Sequence, residues 1–217
     1  MAKTILITGA NRGIGLEMAR QAAAAGWQVT GTARDPATVQ DFPGTLIAAD
    51  VTDPGSLSLG EGPLDLLVCN AGQFRARGGI ESPEHTAEAW ASVLMTNVAG
   101  VFFTVRACLP RLRAAKGKVA VISSVMGGTG RAPGGSHLYR ASKAAATNLA
   151  ANLAQDLAPD GIAVGAYHPG WVRTDMGGTG ADISTAESAA GLLSRFEALG
   201  MGTTGVIEDY AGRALAL

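Results

Sequence analysis

The chain of 217 residues alternates short, nearly all-apolar runs with longer stretches in which apolar side chains recur every three or four positions. The short runs at 3–8, 28–33, 45–49, 64–69, 118–123 and 162–167 predict strands. The run at 64–69 has almost no polar alternation, as expected of a strand covered on both faces. Residues 12–25, 84–115, 138–157 and 186–199 carry helical periodicity, and in the third Ala145, Leu149, Leu153 and Leu157 lie one turn apart. A last strand is expected at 204–207. This β-α-β order predicts one α/β domain over 1–217: a Rossmann-like, doubly wound parallel sheet of about seven strands with helices on both faces. Such a sheet binds ligands beyond the carboxyl ends of its strands.

One connection departs from this pattern. Residues 50–63 hold Pro54, Gly55, Gly60, Gly62 and Pro63, which leaves little room for a helix and predicts a degenerate crossover. The glycine-rich stretches at 127–135 and 177–180 read as loops near a ligand.

Composition narrows the class. Hydrophobic residues make up 47% and charged residues 16%, which favours a packed core over disorder. A net charge of −1 removes any general attraction to nucleic acid or an anionic membrane, so neither is expected as a partner. Gly, Arg or Thr interrupts the apolar runs before the ~18 residues of a membrane span, and the N-terminal run Ile5-Leu6-Ile7 is too short for a leader. Cys69 and Cys108 read as buried reduced thiols, so a cytoplasmic location is expected. The three histidines and two cysteines show no metal-ligand spacing, and no metal is expected.

Candidate chemistry begins after the first strand, at Thr8-Gly9-Ala10-Asn11-Arg12-Gly13-Ile14-Gly15, followed by a helix. Glycines let the backbone approach a pyrophosphate, and the helix N-terminus offers unpaired N–H groups and partial positive charge. Farther on, Tyr139 and Lys143 are four apart on a predicted helix and share a face. A phenol has a pKa of about 10, and a nearby ammonium is expected to lower it, making a general acid/base near neutrality.

These stretches resemble the short-chain dehydrogenase/reductase family. The glycine turn matches its TGxxxGIG pattern, Asn70-Ala71-Gly72 its NAG motif, and Tyr139-Arg140-Ala141-Ser142-Lys143 its YxxxK motif. Asn97, Ser123-Ser124 and Pro169-Gly170 fall in the family's order, and the stretches TGANRGIGLEMAR and HPGWVRTDMGG resemble its C-factor-like and sniffer-type carbonyl reductase branch. The resemblance implies hydride transfer between a nicotinamide and a small carbonyl or alcohol substrate. Tyr139 would be the acid/base, Lys143 would hold the nicotinamide ribose, and Asn97 would hold a water linking Lys143 to solvent. Ser124 would orient the substrate oxygen, with Ser123 as its rival. Val172 and Thr174 would bond the nicotinamide carboxamide, with Asp50 and Val51 at the adenine. The stretch between Ser124 and Tyr139 is longer than usual in the family, and the one after Thr174 is shorter, which predicts an open, permissive pocket.

Ala33 stands where NAD-preferring relatives carry an acid, and the Arg34 fork suits a 2′-phosphate, with Arg12 on the same side. NADP(H) is therefore expected over NAD(H). The alternatives are a solvated Arg34 with Arg12 paired to a carboxylate, an Asp35 turned to the ribose, and an Asp50 serving only an Asx turn. Trp171 and Met176 could line the pocket or the core; Trp171 is assigned to the core. The resemblance also implies a homodimer or homotetramer through the helices of 84–115 and 138–157, with Ala144, Ala145 and Ala146 permitting close approach. C-factor being regarded as a developmental signal, a nucleotide-binding signalling or regulatory protein with little turnover is the competing function.

Overall fold

The computed structural model describes residues 2–130 and 132–216. Met1, Leu217 and Arg131, the last within the predicted loop 127–135, lie outside the described residues. The strands are β1 (Thr4–Ile7), β2 (Gln28–Ala33), β3 (Thr45–Ala48), β4 (Leu66–Cys69), β5 (Lys118–Ile122), β6 (Ala163–His168) and β7 (Ile207–Asp209). They form one sheet in the order β3-β2-β1-β4-β5-β6-β7, every pair parallel. The helices are α1 (Gly13–Ala24), α2 (Ala87–Leu94), α3 (Gly100–Ala115), α4 (His137–Leu157) and α5 (Thr185–Ala198).

Strand pleat explains why the central strands are apolar at every position. Leu6, Leu67, Cys69, Val119, Val121 and Val164 face one core, under α3 and α4. Ile5, Ile7, Leu66, Val68, Ala120 and Ile122 face the other, under α1 and α5. Between β1 and β4 the chain order reverses direction across the sheet, so their ends diverge and leave a crevice for a ligand.

The crossover from β3 to β4 is degenerate, holding only a short turn at Pro54–Ser56. Leu57 and Leu59 fill the core there in place of a helix. Arg111 of α3 pins the segment, donating from Nε to the Gly62 carbonyl at 2.9 Å and from Nη1 to the Leu59 carbonyl at 2.5 Å.

Two elements start three residues later than the sequence pattern predicts. The last strand starts at Ile207 rather than 204, because Gly205 turns with φ 87° after a short helical turn at Met201–Thr203. The long helix starts at Ala87 rather than 84, where the Thr86 hydroxyl caps the Ala89 amide at 3.2 Å. It then runs unbroken through a π-turn at Met95–Ala99. The resulting 29-residue helix Ala87–Ala115 is long and apolar enough to cross a membrane by length and composition, despite the interruptions seen in the sequence. Its Val101, Val105, Cys108 and Leu112 are buried in the core beneath the sheet.

Candidate active site

The site forms where the turns after β1 and β4 clasp. Thr8 Oγ1 accepts the Asn70 and Ala71 amides, both at 3.0 Å. Asn70 Nδ2 donates back to the Thr8 and Gly9 carbonyls at 2.9 and 3.0 Å. Gly15 is required here, because a Cβ would strike the Gly9 carbonyl and the Asn70 amide. The helix α1 begins with no side-chain cap and no acidic residue in its first turn. Its N-terminal amides therefore face the cleft with their partial positive charge uncompensated by the chain.

A cleft of about 1290 Å³ runs from this turn across the strand ends. Gly9, Asn11, Arg12, Gly13, Ile14 and Gly15 line one wall, with Arg34, Asp50 and Val51 beyond the ends of β2 and β3. Asn70, Ala71, Gly72, Tyr139, Lys143, Pro169 and Thr174 continue the wall towards the other end. Gly170 and Val172 are outside it: Val172 is buried and bridges to Ile183, so only its backbone could serve a ligand there. Trp171 is 53% exposed rather than core, because its loop runs over the outside and its indole Nε1 bonds the Gly177 carbonyl at 2.9 Å. Met176 lines the cleft.

The charged residues at the β2 end resolve individually. Asp35 accepts the Ala37 amide at 3.1 Å and caps the turn Pro36–Thr38. Arg34 is exposed and makes no ion pair among the described residues. Arg12 does pair with a carboxylate, Asp175 Oδ2 at 2.6 Å, though both side chains are mostly exposed. Asp50 Oδ1 accepts the Thr52 amide and hydroxyl at 2.9 and 2.8 Å, so the Asx turn exists at a residue that also lines the cleft.

At the other end, the two serines after β5 separate. Ser123 is buried between β5 and α4, bonded to the Lys143 carbonyl at 3.2 Å and to Thr147 Oγ1 at 2.5 Å. Ser124 instead accepts the Met126 amide through Oγ at 3.1 Å and lies close enough to the Tyr139 phenol to favour its ionised form. The turn after Ser124 approaches α4 closely through Gly127, where a Cβ would stand 2.7 Å from the Ala144 nitrogen. Lys143 Nζ donates to the Ile122 carbonyl at 2.8 Å and lies 5.7 Å from the Tyr139 ring centre. Asn97 sits in the π-turn, with Oδ1 accepting the Gln73 amide at 2.8 Å and Nδ2 donating to Ser142 Oγ at 2.9 Å. Widened turns of this kind recur at functional sites.

The sign of one expected shift is reversed. Burial pushes the Tyr139 phenol up to about 12, with the neighbouring Ser124 hydroxyl acting in the opposite direction. Burial pushes Lys143 down to about 8. Lys143 donates to the Ile122 carbonyl and not to the phenol oxygen, and burial dominates the shift of the phenol. Both cysteines are free and buried, with thiols pushed up by desolvation.

Three contributors escaped the sequence reading. Thr8 holds the two turns together, although it opens the glycine motif. Gln73 clamps the Asn97 turn through its backbone and through Nε2 to Thr96 Oγ1 at 2.7 Å. Phe74 stacks on Tyr139 with ring centres 4.4 Å apart. Gln73 and Phe74 directly follow the NAG motif, and that adjacency was the only signal available.

A family model described as short chain dehydrogenase matches residues 3–182, and the chain belongs to that family. It is 35% identical over 156 residues to the C-signal of Myxococcus xanthus, covering 70% of this chain and 91% of the relative. A solved NADPH-bound carbonyl reductase from chicken fatty liver is 30% identical with a TM-score of 0.91, covering 100% of this chain and 99% of that one. The carbonyl reductase Sniffer of D. melanogaster is 25% identical with a TM-score of 0.91, covering 100% of both chains. The likeness to C-factor and sniffer-type proteins read from the sequence is thus present in both comparisons.

Proposed function

We propose that this oxidoreductase is NADP(H)-dependent and interconverts a small carbonyl compound and its alcohol, with Tyr139 as acid/base. The observation that carries the proposal is that Tyr139 and Lys143, one turn apart on α4, both line the cleft, with the Ser124 hydroxyl beside the phenol. The cleft fits the dinucleotide: the glycine turn and the uncapped start of α1 suit a pyrophosphate, and Arg34, with no ion pair among the described residues, suits a 2′-phosphate. Lys143 would hold the nicotinamide ribose. Bound there, the reduced cofactor supplies a hydride to the carbonyl carbon.

The chain's own residues supply the proton and the positioning. Near neutrality Tyr139 carries its proton, the form needed to protonate the carbonyl oxygen. Ser124 donates a second hydrogen bond to that oxygen. Lys143, charged below about pH 8, stabilises the phenolate left behind. A Cβ on Gly72 would stand 3.4 Å from Asn97 Oδ1 and 3.7 Å from Lys143 Nζ. The missing side chain leaves a space for a water between them, through which the proton is restored. The short segment after Thr174 supports a broad choice of small carbonyls.

Buried reduced thiols support a cytoplasmic location. Leu94 and Phe102, exposed on α2 and α3, support a homodimer or homotetramer, which a single-chain mass by light scattering would overturn. The likeness to C-signal favours a second reading, a nucleotide-binding signalling protein. NADPH consumption over a panel of aldehydes and ketones separates the two. Turnover supports the reductase, whereas tight NADPH binding with no carbonyl reduced supports the signalling protein.

A further inference from the structure

A column of side chains leads outward from Tyr139. The Phe74 ring lies 4.4 Å from the Tyr139 ring at an interplanar angle of 30°. The Arg77 guanidinium lies over the Phe74 ring, 4.5 Å from its centre. Arg77 Nη2 donates to the Met176 carbonyl at 2.9 Å, which bridges the loop after β4 to the segment after Thr174. An exposed cation therefore stands at the lip of the cleft, one ring away from the phenol.

That guanidinium is exposed to solvent. Among the described residues it makes no ion pair. Glu84 holds the Arg77 main chain, its Oε2 accepting the Arg77 amide at 2.8 Å, and makes no ion pair with the guanidinium. One of the five guanidinium donors serves Met176, and the others form a planar fork suited to a carboxylate.

We infer that Arg77 determines substrate choice. The carbonyl compound reduced at Tyr139 carries a carboxylate, joined to the carbonyl by a short apolar chain that lies along Phe74. This rests on the carbonyl-reductase reading above and adds the chemical class of its substrate. The carboxylate takes no part in bond making; hydride still goes to the carbonyl carbon and the Tyr139 proton to its oxygen.

The test compares levulinate with its methyl ester in NADPH oxidation, using wild type, Arg77→Gln and Arg77→Lys. In wild type, kcat/KM for the acid exceeds that for the ester by tenfold or more, and added salt shrinks the ratio. In Arg77→Gln the ratio falls to near one, and Arg77→Lys, which keeps the charge, retains part of it. Equal kcat/KM for acid and ester in wild type, or an unchanged ratio in Arg77→Gln, overturns the inference while leaving carbonyl reduction standing. If neither compound is reduced, titration calorimetry of the NADP-loaded protein with levulinate decides. Heat from wild type but not from Arg77→Gln upholds the carboxylate site, and no heat from wild type overturns it.

Discussion

Lys143 Nζ donates to the last carbonyl of β5, Ile122, at 2.8 Å, and so ties the middle of α4 to the sheet inside a fully buried setting. The bond offsets only part of the desolvation, and Lys143 is pushed down to about 8 from 10.5. Between these values the unfolded chain binds a proton at this site that the folded chain does not, so this group's contribution to stability rises with pH across that window. The difference in unfolding free energy between wild type and Lys143→Met, measured by denaturant titration from pH 7 to pH 11, should rise on the order of a few kcal/mol in favour of wild type. A flat difference would mean that Lys143 is not held at a depressed pKa. The difference curve is needed because Tyr139 and the two thiols, all pushed up, act in the opposite direction at high pH.

Gly72 borders the space shared by Asn97 and Lys143. A Cβ there meets only ordinary contacts, so Gly72→Ala should fold and bind NADPH. It should nonetheless lower turnover on the order of a hundredfold by displacing the water of the proton path. Stopped-flow single turnover and steady-state rates on the same variant separate proton resupply from hydride transfer.

The two serines after β5 should part in their effects. Ser124→Ala is expected to lower kcat by on the order of a hundredfold, since it removes a donor aimed at the reacting oxygen. Ser123→Ala should cost about 1 kcal/mol of stability through its lost bonds to α4, with turnover near wild type. Thermal melts and kcat on both variants check this pairing.

Arg12 bonds Asp175 in this structure, whereas Arg34 bonds no carboxylate among the described residues. Arg34→Ala should therefore weaken NADPH by roughly tenfold to a hundredfold and NADH far less. Asp175→Asn should tighten NADPH about twofold to fivefold by freeing Arg12 for the phosphate. Fluorescence titration with both nucleotides gives the four constants; equal losses of NADPH and NADH in Arg34→Ala would remove that residue from the 2′-phosphate site.

The parts legible in the sequence are those set by local pattern. Strand β2 was read at its true limits because apolar residues end sharply against Asp35-Pro36. The glycine turn, the NAG turn and the YxxxK helix were read because their residue types are demanded by close backbone approach and by helical spacing. The π-turn that carries Asn97 was not, since widening a helix by one residue leaves no mark in the periodicity. Contacts between distant loops, such as Arg12 with Asp175 and Phe74 with Tyr139, arise only when the strand ends are brought together. The direction of the Tyr139 shift is hidden for the same reason: spacing reveals a neighbouring ammonium, but not the burial of the phenol that outweighs it.

The most direct test of Tyr139 as the acid/base is a paired measurement on wild type and Tyr139→Phe: NADPH dissociation constant by fluorescence, and rate of NADPH oxidation with a carbonyl substrate that wild type reduces. The Phe ring keeps the stack on Phe74 and removes only the proton donor. NADPH binding close to wild type together with a loss of at least roughly a hundredfold in rate is the predicted result. Equal rates in the two proteins would contradict it.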